Sequence, residues 1–233
     1  MGQPVGTDPA AAGRTVAART ADGRFWYAAA LALLAADAGV ALWLLGRQIH
    51  LHGLVTGGAW DAALRDEMWT DNLLDVLRAL TLATVIVFLL WFQSVRDATE
   101  ARLPGRRERG GRSWSMIWWF VPVVNLWMGL RITLDVWSAN AAEGSRARSA
   151  GWLPVAGWWV LSMYALTRFE DAAREFDEAS SGVRTGEAAA EMRESLAHGM
   201  AADGWYLAGA AATAALVVCL TRTARRAASP RPR

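Results

Sequence analysis

The sequence predicts an all-α fold, a polytopic membrane helical bundle, and three observations predict it. Apolar runs recur along the chain and approach the ~20 residues needed to cross about 30 Å of hydrocarbon. Hydrophobic residues make up 54% of the 233 positions, and they are collected into runs where a soluble domain would disperse them into short amphipathic stretches. All 24 basic residues are Arg, and they gather between the runs and at the chain ends. The expected layout is four spans, one Pro-broken segment that re-enters the bilayer or crosses as a kinked fifth helix, and an interfacial amphipathic helix.

The elements follow in order. Residues 1–24 are rich in Ala, Gly, Thr and Pro without hydrophobic periodicity, and read as a disordered basic tail carrying Arg14, Arg19 and Arg24. The first span is Phe25 to Gly46, anchored by Trp26 and Tyr27 at one end and Trp43 near the other. A competing reading makes Phe25 to Ala35 the apolar part of a signal peptide, with Ala36-Asp37-Ala38 as the small-x-small site; the apolar run resumes from Val40 to Leu45, which favours a span. The second span runs from about Leu73 to Val95, entered by Thr70-Asp71-Asn72 and closed by Trp91-Phe92. A basic connector with Arg96, Arg102, Arg106, Arg107, Arg109 and Arg112 follows, marked as a loop by Pro104 and Gly110-Gly111. After the Trp-rich segment 114–130 come spans at 152–169 and 205–221 and a basic C-terminal tail over 223–233. Between them, Glu170 to Asp203 carries nine acids and three Arg, and reads as two short solvated helices turning at Ser180-Ser181-Gly182.

The distribution of Arg chooses between topologies. If all five apolar segments cross with a cytoplasmic N-terminus, flanking Arg divide 13 inside and 10 outside; if residues 114–130 re-enter instead, they divide 17 inside and 6 outside. Cytoplasmic loops carry the excess of Arg in membrane proteins, so the re-entrant arrangement is expected, with both termini cytoplasmic in a multi-pass protein of the cell membrane. Local chemistry agrees. Only 17 residues, Trp114 to Leu130, are free of charge, and Pro122 removes a backbone donor in their middle. The freed backbone groups need cover from protein, and the Asn125 amide is a natural partner. Beyond the break, Trp127, Leu130, Leu134, Trp137 and Ala141 form one stripe at helical spacing, with Arg131, Asp135 and Ser138 on another face.

The run from Trp91-Phe92 through Arg96 and the basic loop, then WWFVPVVNLW, with Trp118, Trp119, Phe120, Pro122, Asn125, Leu126 and Trp127, and finally LDVWSAN, with Asp135 and Trp137, resembles a bacterial integral-membrane family catalogued as domain of unknown function 4328. The likeness is dense over about residues 91–141 and elsewhere is limited to hydropathy and a final helix ending in Val217-Val218, Thr221 and Arg. Met128-Gly129 stands where members usually have a basic residue and a Pro, and Asp97 where an Asn is common. The resemblance implies a multi-pass membrane protein and no activity.

Composition narrows function. A net charge of +2 gives no case for nucleic acid as a partner, and the single Cys219 excludes intramolecular disulfides and Cys-based metal clusters. Absence of Lys beside abundant Ala and Gly points to a GC-rich genome of the actinobacterial kind. No nucleophile elbow, phosphate loop or dinucleotide fingerprint occurs, so no catalytic residue and no cofactor is expected.

Asp37, at the middle of the first span, is the leading intramembrane polar residue, since a carboxylate there is costly and usually faces a bundle interior, a partner or an aqueous path. Arg78 is its expected partner by depth, although Asp75, three residues earlier, could satisfy Arg78 instead. His50, His52 and His198 all fall on the outer side and could hold a metal ion, without any recognised ligand spacing. The function expected first is a non-enzymatic scaffold, partner-binding or envelope-sensing protein, with the bilayer as its surroundings and a protein partner or second copy at the Trp-rich element. The alternative is a small transporter or channel using Asp37 and the broken helix at Pro122-Asn125, and the third reading is an enzyme with an outer His site.

Overall fold

The computed structural model describes residues 9–103, 122–141, 151–181 and 186–229. These form five α-helices: α1 (Pro9–Thr56), α2 (Trp60–Arg102), α3 (Pro122–Asn140), α4 (Trp152–Ser181) and α5 (Gly186–Ala228). Among the described residues there is no strand.

The helices are longer than the apolar runs that announced them. At about 1.5 Å per residue, the 48 residues of α1 and the 43 each of α2 and α5 reach well beyond a ~30 Å hydrocarbon layer. Helix α1 includes residues 9–24, which the sequence reads as a disordered tail; Pro9 is favourable in a first turn, and the Ala-rich stretch behind it has high helix propensity. Residues 223–228, read as the start of a tail, continue α5. The acidic connector likewise extends α4 and α5 and does not form separate short helices.

Helices α1 and α2 form a hairpin closed by a Schellman turn. The Ala59 amide donates to the Leu54 carbonyl at 2.9 Å and the Gly58 amide to Val55 at 3.3 Å. Gly58 has φ +74°, a left-handed conformation that glycine adopts without a Cβ clash. Helices α4 and α5 pair as a second hairpin, and α1 and α5 join the two. Cross-helix contacts give the directions: α1 meets α5 at Tyr27 with Arg225 and at Gln48 with Gly199, so the two run antiparallel. The α1–α2 turn and the facing ends of α4 and α5 therefore share one end of the bundle. The C-terminus of α2 and the N-terminus of α4 share the other, where α3 packs against α2, α4 and α5.

Two apolar clusters make up the interior. The first, towards the α3 end, contains Leu34, Phe88, Trp91, Phe92, Val155, Trp158, Trp159, Val217 and Leu220, with Ile132 and Val136 of α3. Its indole donors are used across helices: Trp91 Nε1 donates to Thr221 Oγ1 at 3.2 Å and Trp158 Nε1 to Thr213 Oγ1 at 3.0 Å. The second, towards the hairpin end, contains Ala41, Leu44, Leu51, Leu74, Leu77, Phe169, Phe176, Leu196 and Tyr206.

Three helices are long and apolar enough to cross a membrane, over Gly23–Thr56, Asn72–Arg102 and Ala190–Ala228. Only 28%, 33% and 33% of their most apolar windows is buried inside the protein, which leaves large outward apolar faces suited to lipid and not to water. Phe25, Trp43 and Trp205 are exposed on these surfaces. Helix α4 is not among the three: Pro, Gly, Ser, Thr, Tyr and Arg168 dilute the apolar run 152–169, although it lies along α5 throughout.

Candidate functional site

Between the two apolar clusters lies a polar layer. Asp37 is 2% exposed on α1, and the side chains of Thr84 on α2 and Tyr206 on α5 face its carboxyl group. Tyr206 shares a short hydrogen bond with Thr81, whose hydroxyl also donates to the Leu77 carbonyl at 2.7 Å. The Tyr206 ring packs on Phe169 at 5.2 Å between centroids, so α4 supports the layer from behind. The layer exists because α1, α2 and α5 each place a polar side chain on their inner face at one level, one of them a carboxylate.

No basic side chain among the described residues pairs with Asp37, and its Oδ1 has no hydrogen-bond partner there. The expected pairing with Arg78 does not form. Arg78 is 41% exposed and bonds Asp75 at 3.2 Å and Glu170 at 3.8 Å. The i, i+3 partner on its own helix is reached without desolvation, whereas reaching Asp37 would bury a guanidinium.

The polar character continues towards the hairpin end. Tyr206 interacts electrostatically with Asp203 as well as with Asp37. Asp203 is 1% exposed and lines a small pocket with Gln48 of α1 and Ser195 of α5, backed by Phe169, Phe176 and Leu196. Towards α3 the layer is closed by Leu34, Phe88 and Trp158 of the first cluster, Phe88 and Trp158 standing 5.8 Å apart between ring centroids. Asp37 thus lies between the two apolar clusters, with Tyr206 and Asp203 on the α5 side extending its polar surroundings towards the hairpin end.

Helix α3 is described from Pro122 onwards. Trp118, Trp119 and Phe120 lie outside the described residues. Asn125, Leu126 and Trp127 fall within the helical backbone, and their side chains lie outside the description. The deepest face of α3 is Ile132, Thr133, Val136 and Asn140; Leu130, Leu134 and Trp137, read as the apolar stripe, are half-buried beside it. Asp135 is also half-buried, and its carbonyl accepts from Ser138 Oγ at 3.0 Å. Asn140 latches α3 to the end of α2: its Nδ2 donates to Thr99 Oγ1 at 2.9 Å, and its Oδ1 accepts from Arg102.

The histidines do not converge. His198 bonds Glu175 at 2.8 Å, and no group of three or more His, Cys, Asp or Glu able to hold a metal occurs among the described residues. Sequence reading singled out neither Tyr206, Thr81, Thr84, Asp203, Gln48 nor Asn140. Asp203 and Gln48 sit at the margins of apolar runs, where polar residues ordinarily meet water, and only helix packing buries them.

Three helices long and apolar enough to cross a membrane, packed around a buried acidic layer, define an all-α protein of membrane-associated character. The chain belongs to the family described as Domain of unknown function (DUF4328), which matches residues 61–222. No curated protein and no solved structure matches it.

Proposed function

We propose that this protein is a non-enzymatic multi-pass protein of the cell membrane, a small transporter or channel that handles a proton or monovalent cation at the layer around Asp37. The observation that carries this reading is Asp37 itself: a carboxyl group midway along an apolar helix, buried against two hydroxyls and no base. An apolar residue would lock the same helices at lower cost, so a retained carboxylate suits a group that takes up and releases a positive charge. The further buried carboxyl group of Asp203, beside Tyr206 towards the hairpin end, supports a charge-handling path along α5.

The topology that goes with this function has α1, α2, α4 and α5 crossing, the segment through α3 re-entering, and both termini in the cytoplasm. Support comes from α2 ending and α4 beginning at the same end of the bundle, and from the 17 to 6 distribution of Arg. Helix α3, anchored at the rim by Asn140 and reaching the first apolar cluster through Ile132 and Val136, is then the element positioned to open that end.

The test is flux in liposomes. Asp37→Asn should abolish uptake of protons or of a monovalent cation while the purified protein keeps its helicity and elution volume. Undiminished flux in that variant, or a parent protein inert to a panel of monovalent cations and protons, refutes the proposal.

A second reading, a scaffold or sensor that organises a partner at α3, is favoured by Leu130, Leu134 and Trp137 remaining only half-buried after α3 has packed. Joint replacement of Pro122 and Asn125 without effect on assembly or cellular phenotype would remove its basis.

A further inference from the structure

We infer that the pocket between Gln48, Ser195 and Asp203 is a binding site for a sodium-sized monovalent cation, held at the mouth of the polar layer. Its role at that mouth rests on the transport reading above; the binding itself stands on the pocket. The three residues are 5%, 4% and 1% exposed, and Gln48 Oε1, Ser195 Oγ and Asp203 Oδ2 have no hydrogen-bond partner among the described residues. All three line one small void at the α1–α5 contact. Buried polar atoms are ordinarily satisfied, so three oxygens lining one void suit a polar or charged ligand.

The chemistry of the atoms selects the occupant. A carboxylate oxygen and an amide oxygen accept only, and the Ser195 hydroxyl is the one group of the three able to donate. A water molecule could donate to Gln48 Oε1 and Asp203 Oδ2 and accept from Ser195 Oγ, but it would do nothing to offset the cost of ionising a carboxyl group at that depth. A monovalent cation takes lone pairs from all three and neutralises that single charge. Calcium and magnesium bring a second positive charge that a single carboxylate does not balance, and magnesium retains several waters.

Gly199 shows how the site is shaped. A methyl group on it would stand 2.8 Å from Gln48 Oε1 and 3.1 Å from Cδ and Nε2, so the amide lies directly against the α5 backbone. Glycine here lets Gln48 reach the pocket. Gly199→Ala would displace the amide, a flexible side-chain end, without removing any polar group.

The experiment uses the full chain in phosphatidylcholine–phosphatidylglycerol nanodiscs in a choline buffer, with radiolabelled sodium followed by scintillation proximity. Saturable binding is expected, with potassium a weaker competitor. Asp203→Asn should weaken binding by at least about tenfold, the loss of one opposed charge, and Gly199→Ala should weaken it also. Asp37→Asn should retain sodium binding while losing flux. Absence of saturable sodium binding in the parent overturns the inference, as does parent-like affinity in both Asp203→Asn and Gly199→Ala. Proton uptake without sodium binding overturns it too. If Asp37→Asn alone abolishes binding, the cation sits at the layer, and this inference fails while the transport proposal stands. Should Asp203→Asn fail to fold, Gly199→Ala decides.

Discussion

Gly209 brings α4 and α5 as close as their backbones allow. A Cβ on it would meet the Ala165 Cβ at 3.0 Å and the Ser162 Cα at 3.8 Å. In lipid, where apolar association gains nothing from water release, such small-residue contacts let dispersion and backbone approach hold helices together. Gly209→Leu should force the hairpin apart at a cost of about 1–3 kcal/mol, read as a lower thermal midpoint in detergent by size-exclusion recovery. Asp37 acts at the same scale but in the opposite sense. Asp37→Leu, by removing a desolvated carboxyl group, should leave the thermal midpoint unchanged or raised even as flux is lost, which separates a functional carboxylate from a structural one.

Asn140 ties the end of helix α3 to α2. Its amide bonds Thr99, Arg102 and the Val136 carbonyl, so Asn140→Leu leaves polar groups on α2 without their partner. The expected cost is about 1–3 kcal/mol, concentrated locally. Hydrogen exchange should accelerate through residues 122–140 and stay unchanged in the contact region of α1 and α5. Part of this element was legible: the helical spacing beyond Pro122, through Leu130, Leu134 and Trp137, announces a helix. The buried face was not. The stripe through Leu130, Leu134 and Trp137 has the larger side chains, but Ile132, Val136 and Asn140 go inward, because lipid satisfies the bulky stripe and only α2 satisfies the amide. The hairpin turn at Gly57-Gly58 went unread in the sequence, although a glycine just past a helix end is the usual material of a Schellman turn.

Across the whole molecule, the antiparallel order α1, α2, α4, α5 brings Tyr27 and Arg225 to one end. A reporter active only in the cytoplasm, fused after Arg233, should therefore be active, as should one fused at the N-terminus; activity at only one terminus would mean an odd number of crossings. Composition and run length determined the all-α class and the helices apolar enough to cross a membrane, and the motif through residues 91–141 carried the resemblance to the family, because those properties belong to segments and need no knowledge of neighbours. Asp37 was identifiable for the same reason: a carboxylate inside an apolar run is conspicuous alone. Its surroundings were decided by tertiary structure. Tyr206 lies 169 residues away along the chain, a separation read from the numbering, and Gln48 and Asp203 become buried only when α1 packs on α5. Depth along a helix can be counted from sequence, but the angle at which each helix turns its faces to the others is set by packing, and that angle gave Asp37 hydroxyls for neighbours and left Arg78 to Asp75 and Glu170.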